Sequence, residues 1–343
     1  MATADKIKNA KSIVIKIGSS LIVDEDATIR QSWLKSLVDD IAILKSEFKD
    51  VIVVTSPDQY SELIEQLKKN KGSTTLDFRK KLSRIAFTET AYYDSIISDY
   101  FNKISDVSFP QKKIFYGNLI EPLRYGENPH QNGGIYSKNH NLNIKQIHGK
   151  ILSYNNYNDI YAALKISKTL PKNTGTVIIK HANPCGVSIN KKPLQSYKAA
   201  LSCDPISAFG GIVSCNFKIS KSVALELSKL FFEVIIAKNF DASALKILKK
   251  KKNLRLVDAS NYSLNEVLEF ISHNEEILVQ SEDRKRLTLG DFKIVSKKKP
   301  NKKVMKDLIF AFNICRYVKS NAIVLASNGS TVGIGSGQPS RLD

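Results

Sequence analysis

The stretch TVIIKHANPCG, residues 176–186, decides the fold. Its β-branched run Thr176–Ile179 predicts a strand, and Asn183-Pro184 and Gly186 predict the loop into which it runs. Working outward, a helix is expected over about 155–169 and another over 193–202. DPISAFGGIVS, residues 204–214, follows as a loop entering a strand, then a helix over 220–232, a strand at VIIA (234–237) and a short amphipathic helix over 241–252. Strand and helix alternate, which is the α/β class. Residues 255–303 hold weaker strands and a lysine-rich surface, 304–318 a helix, and Ala322–Ala326 pairs with Val332–Ile334 as a hairpin around Asn328-Gly329.

Toward the N-terminus, SIVIKIGSSLIV (12–23) predicts a strand, a turn at Gly18-Ser19-Ser20 and a short extended piece. Leu34, Leu37, Val38, Ile41 and Leu44 recur at helical spacing within 31–48, and VIVVT (51–55) is a buried type of strand. Helices are expected over 58–69 and 74–103, the second capped by Thr74 or Thr75. A linker containing Pro110 covers 104–120.

With 343 residues, 42% hydrophobic and 25% charged, the chain can bury a core in two or three domains. The apolar runs Val51–Val54 and Val234–Ala237 are far too short to cross a bilayer. The opening MATADKIKNAKSIVIKIG has no apolar stretch ahead of its charges, so no secretory leader is expected. Cys185, Cys203, Cys215 and Cys315 show neither metal-ligand nor disulfide-framework spacing, so no metal is expected and a reducing cytoplasm fits. The net charge of +19 attracts polyanions, but the bases are dispersed, with the densest run at Lys249–Lys252. That distribution favours a solvated surface or a small anionic substrate over a nucleic-acid platform.

Five segments concentrate chemistry. LRYGENPHQ (123–131) crowds Arg124, Tyr125, Asn128, His130 and Gln131 around a Gly and a Pro; an Arg fork clamps phosphate and a Tyr stacks on a heterocycle, though a polar turn has the same composition. In IIKHANPCG, Lys180 and His181 are adjacent, so a strand would point them to opposite faces, and the chain must turn for both to serve one site. His suits proton transfer near neutrality and Lys suits developing negative charge. In CDPISAFGGIVS, Phe209 can cover a ring and Gly210 lets backbone approach a ligand. Glu233, just ahead of VIIA, is either a ligand for an amino or amide edge or an edge charge. VKSNAIV with GIGSGQPSR supplies Asn321, a donor and acceptor, then Gln338 and Arg341, suited to an anion. The G-x-G-x-G there opens no βαβ helix, so it is not a dinucleotide fingerprint.

Taken together, RYGENPHQ, KHANPCG, DPISAFGG, EVIIA…KKKNLR and VKSNAIV…GIGSGQPSR stand in the order found in the bifunctional purine enzymes AICAR formyltransferase/IMP cyclohydrolase, and the chain resembles that family over about 51–343. The resemblance implies a cytidine-deaminase-like α/β formyltransferase domain at 121–343, incomplete at its C-terminal end. Ahead of it lie a linker at 104–120, a remnant of the cyclohydrolase domain's last helices at 55–103 and a small hybrid α/β region at 1–54. It implies transfer of a formyl group from the co-substrate 10-formyltetrahydrofolate to the 5-amino group of AICAR in IMP biosynthesis, by a cytoplasmic homodimer without nucleic acid or membrane. Lys180 and His181 match the family's catalytic pair, and Asn321 matches the asparagine that positions the reacting groups. Arg124 and Tyr125 match AICAR-binding residues, Asn155, Phe209, Gly210 and Glu233 match further substrate contacts, and Gln338 and Arg341 fall in a matching ligand loop.

Two departures accompany the match. Residues 1–50 resemble instead the start of glutamate 5-kinase, with Lys16, Gly18 and Ser19 at its phosphate-binding turn, so a chimeric chain is expected there. The family also continues past GQPSR and begins with a cyclohydrolase half absent here, so cyclohydrolase activity is not expected. An inactive chimeric fragment and a glutamate 5-kinase-like protein are the rival readings.

Overall fold

A computed structural model describes residues 12–16, helical positions between 32 and 46, and residues 50–264 and 268–340. The contacts divide the chain into two compact units, Met1–Gly117 and Asn118–Asp343.

In the first unit β1 (Ser12–Lys16) and β2 (Asp50–Val54) pair in parallel, from Ser12↔Asp50 to Lys16↔Val54. Parallel neighbours require a crossover, and the described positions between 32 and 46 are helical. The turn at Gly18-Ser19-Ser20 and the apolar positions Leu34, Leu37, Val38, Ile41 and Leu44 lie outside the described residues. A 3-10 turn at Pro57–Gln59 leads into α1 (Tyr60–Lys69), and α2 spans Leu76–Ile104. Thr75 caps α2, its hydroxyl accepting the Phe78 N–H at 3.2 Å. Ile52 and Val54 of β2 bury against Leu63, Phe78 and Leu82 to form this unit's core.

The second unit is built on an eight-stranded sheet. Its elements are β3 (Asn118–Leu123), β4 (Gly133–Ser137), β5 (Lys145–His148), α3 (Tyr154–Thr169), β6 (Gly175–Lys180), β7 (Asn183–Ile189), α4 (Pro193–Leu201) and β8 (Ile212–Ile219). They continue with α5 (Lys221–Leu227), β9 (Val234–Phe240), α6 (Ala242–Leu248), β10 (Arg255–Asp258), β11 (Leu268–His273), β12 (Glu276–Ser281), a 3-10 turn at Leu289–Asp291, α7 (Lys302–Cys315), β13 (Ile323–Ser327) and β14 (Ser330–Gly335). The order across the sheet is β13-β14-β7-β6-β8-β9-β10-β5; β8, β9 and β10 run parallel, while β6 is antiparallel to both its neighbours. Hairpins β3–β4 and β11–β12 stand outside it.

Both faces of the sheet's centre are buried, so β6, β8 and β9 are apolar at successive positions rather than alternating. Val177 and Ile179 of β6 and Val234 and Ile236 of β9 pack with Tyr157, Ile160 and Leu164 of α3. Ile178, Ile235 and Ala237 point the other way, onto Tyr197, Ala224, Leu227 and Leu248 of α4, α5 and α6. Each fully buried Ile or Val contributes about 1.5–3 kcal/mol. The α/β class read from the sequence is therefore a three-layer α/β/α arrangement.

Three local expectations are corrected. KHANPCG is not a loop: β7 begins at Asn183, leaving only His181 and Ala182 between two paired strands. The helix expected over 220–232 ends at Leu227. The one expected over 241–252 ends at Leu248, and Lys251 of the dense lysine run turns back to donate to the carbonyls of Ser228 and Leu230. That lysine satisfies backbone acceptors just past the end of α5 instead of facing solvent.

Candidate active site

The first turns of α3 gather the expected segments. Ser153 and Asn156 form a capping box that fixes where the helix starts. Asn155 then donates to the Glu127 carbonyl at 3.1 Å, and Tyr157 donates its phenol to Glu121 Oε1 at 2.6 Å. Burial, then that carboxylate, pushes the Tyr157 phenol up. Together these bonds dock the β3–β4 hairpin, whose connecting loop carries Arg124 and Tyr125. The loop is internally braced: Gly126 N–H reaches the Gln131 carbonyl at 2.7 Å, and Gln131 Oε1 accepts the Asn128 N–H at 2.8 Å. Arg124 is exposed, its guanidinium carbon 5.7 Å from the Tyr125 ring centroid.

Asn156, next to the expected Asn155, reaches inward and donates to Glu233 Oε2 at 2.8 Å. Arg255 Nη1 lies 3.9 Å from the same oxygen. Three residues further along the same helical face, Asp159 Oδ1 accepts the Ala182 N–H at 2.6 Å. Burial pushes the Asp159 carboxyl up; the Ala182 amide, the His181 ring and the His181 amide draw it back down, and the Glu233 carboxylate acts in the same sense as burial.

Lys180 closes β6, and its Nζ donates to the Phe209 carbonyl at 2.7 Å. Gly210 suits its φ of +69°, and a Cβ there would sit 3.0 Å from Lys180 Nζ, so the lysine would have to shift. Phe209 is 58% exposed and leans on Phe231, ring centroids 5.4 Å apart. The turn demanded by the Lys180-His181 adjacency is present: His181 and Ala182 both have positive φ, +50° and +58°.

Asn183 connects this end of the sheet to the C-terminal segment. Its Nδ2 donates to the His181 carbonyl at 3.0 Å and its Oδ1 accepts the Lys319 N–H at 3.3 Å. Two residues on, Asn321 donates to the carbonyls of Gln338 (3.1 Å) and Pro339 (3.4 Å), while Gln338 N–H returns to the Asn321 carbonyl at 3.2 Å. Arg341 lies outside the described residues.

Arg124, Tyr125, Asn155, Glu233, Lys180, His181, Phe209 and Gly210 are thus linked through α3 and the Lys180–Phe209 bond, and Asn321 and Gln338 through Asn183. Asn156 and Asp159 escaped the sequence reading; the signal available was their i, i+3 spacing on the helix that precedes the Lys-His strand. The ensemble offers an ammonium, an imidazole, two carboxylates and amide donors around one strand end, equipment for moving a proton and stabilising an oxyanion. No group of three or more His, Cys, Asp or Glu is gathered for a metal among the described residues. Burial raises all four thiols, Cys185 and Cys215 to about 12. A separate groove of about 740 Å³, lined by Phe292, Val295, Val304, Leu308 and Phe312 among others, includes none of the expected site residues. No described helix is long and apolar enough to cross a membrane.

The sequence model of the AICARFT/IMPCHase bienzyme family matches residues 46–343. The bifunctional purine biosynthesis protein PurH of Rhizobium rhizogenes is 41% identical over 301 residues, 85% of this chain and 56% of that protein. PurH of Rhodospirillum rubrum is 42% identical over 303 residues, covering 85% and 57%, and PurH of Persephonella marina is 42% identical over 305 residues, covering 86% and 58%. The chain spans a little over half the length of these relatives.

Proposed function

The chain belongs to the AICARFT/IMPCHase bienzyme family, and on that premise we propose that it carries the formyltransferase half-reaction, moving a formyl group from 10-formyltetrahydrofolate to the 5-amino group of AICAR. The observation that carries the reading is the convergence on α3 and the Lys180–Phe209 bond of segments far apart in sequence: the Arg124-Tyr125 loop, the Lys180-His181 strand end, the Phe209-Gly210 loop and Glu233.

In this reading Arg124 meets the phosphate of AICAR and Tyr125 stacks on its ring. Asn155, Phe209, Gly210 and Glu233 line the substrate, Glu233 accepting from an amino or amide edge. The carboxamide withdraws electrons from the 5-amino group, so holding the two substrates in line supplies much of the acceleration. The amine nitrogen attacks the formyl carbon and His181 takes the proton it loses. Lys180 stabilises the tetrahedral oxyanion, the bond from the formyl carbon to the folate nitrogen breaks, and that nitrogen leaves with the proton His181 took from the amine. Asn321 orients the reacting groups, and Gln338 and Arg341 bind anionic substrate.

The reading extends to a homodimer in the cytoplasm. Exposed Phe87, Tyr93, Tyr100 and Phe101 on α2 give an apolar surface suited to a second copy, which sedimentation at rising concentration tests. It extends also to residues 1–50 as a segment related to glutamate 5-kinase, for which the parallel β1–β2 pair is the support. ATP-dependent phosphorylation of glutamate by the chain is not expected, and a kinase assay checks this.

Calorimetry with AICAR and a spectrophotometric formyl-transfer assay test the main reading. Saturable AICAR binding with turnover, and loss of turnover with retained binding in Lys180→Ala and His181→Ala, is the expected result. A chain that binds no AICAR contradicts it.

A further inference from the structure

The connection between β6 and β7 breaks the chemistry of its own turn type. A two-residue hairpin loop with positive φ at both positions favours Asn-Gly, because most side chains are strained there. This one holds His181 (φ +50°) and Ala182 (φ +58°) between the paired residues Lys180 and Asn183. Strained residues of this kind persist only where their surroundings over-determine them, and they cluster at working sites. Successive amides in such a turn form a small concavity for an anion. Here the anion is a side chain of the protein: Asp159 Oδ1 accepts the Ala182 N–H at 2.6 Å.

We infer that Asp159 is a positioning residue whose carboxylate, delivered by α3, holds the His181–Ala182 turn in its left-handed form and thereby fixes where the His181 imidazole stands relative to Lys180. The inference rests on the formyl-transfer reading for its consequence in turnover, but the clamp itself is a structural statement testable apart from it. A second bond braces the turn, Asn183 Nδ2 donating to the His181 carbonyl at 3.0 Å, while Asn156 engages Glu233 at 2.8 Å. If the turn relaxed to negative φ, the His181 imidazole would be displaced from this strand end, and a misplacement of about 1 Å lowers rates about 100-fold.

Asp159→Asn tests this in the full chain. The Asn keeps one acceptor and loses the charge that strengthens the bond to the Ala182 amide. In the ¹⁵N-labelled protein, the Ala182 amide proton is expected far downfield and is expected to move upfield in Asp159→Asn. Formyl-transfer kcat is expected to fall about 10- to 100-fold, with AICAR affinity by calorimetry nearly unchanged. Adding Ala182→Gly, which relieves the left-handed strain directly, is expected to restore part of the lost kcat. A purely structural role for Asp159 in α3 gives no such rescue. An Ala182 amide that does not move, or equal losses of kcat and AICAR affinity without rescue by Ala182→Gly, overturns the inference. If the wild-type chain transfers no formyl group, the formyl-transfer reading fails, and the amide shift alone decides the clamp.

Discussion

Two turns of one sheet are built to the same backbone plan from opposite residues. At Asn328–Gly329, between β13 and β14, both residues have positive φ (+53° and +72°), and Asp307 of α7 accepts both amides, at 2.9 and 2.8 Å. At His181–Ala182, between β6 and β7, both φ values are again positive, and Asp159 of α3 accepts the Ala182 amide. The first pair is the one such a turn prefers; the second is one it does not. The same clamp serves a turn made of compatible residues and a turn made of a histidine and an alanine. The difference teaches that the strain at 181–182 is not forced by the sheet, which closes an equivalent hairpin elsewhere with residues that fit. On the proposed formyl-transfer reading, it is kept where His181 takes a proton beside Lys180.

The comparison breaks hardest if the second turn is rewritten as the first. His181→Asn with Ala182→Gly is expected to keep or raise the melting temperature while lowering formyl transfer about 100- to 10,000-fold, the range for loss of a general acid–base group. Turnover near the wild-type rate would end the functional reading of this turn. The converse substitution sharpens it. Gly329→Ala puts a Cβ at positive φ in ordinary contact with the Ile189 carbonyl, 3.4 Å away, and is expected to cost about 1–2 kcal/mol in denaturant unfolding with AICAR affinity unchanged. Removing the other clamp is gentler. Asp307→Ala is expected to cost about 1 kcal/mol, read as a lower denaturation midpoint, without loss of turnover. The smallest effect lies beside the His181 turn. With burial pushing the Cys185 thiol to about 12, alkylation at pH 8 is expected to be far slower than that of free cysteine. Rapid labelling of Cys185 would show that this strand end opens.

The legible parts of the fold were those with a strong local signal. The runs at 176–179 and 234–237, the helix over 155–169 and the Asn-Gly hairpin were all readable because periodicity and turn chemistry agreed. The hairpin β3–β4 was not: Pro122, Gly133 and Gly134 thin its pattern, and what holds it is Asn155 and Tyr157 on another element. The 181–182 turn was half legible. The adjacency of Lys and His demanded a bend, but the residues argued for a longer loop, since nothing local reveals a carboxylate arriving from twenty-odd positions upstream. For the same reason Glu233 was readable as a candidate and its partner Asn156 was not.

The account depends on AICAR sitting at the strand end where these segments meet. The most direct measurement is an AICAR titration of the ¹⁵N-labelled chain, following which backbone amides shift. Saturable shifts confined to 124–128, 155–159, 180–183, 209–211, 321 and 338 are the predicted result. Shifts that cluster instead along the groove lined by Phe292, Val304 and Phe312, or no shifts at all, would contradict it.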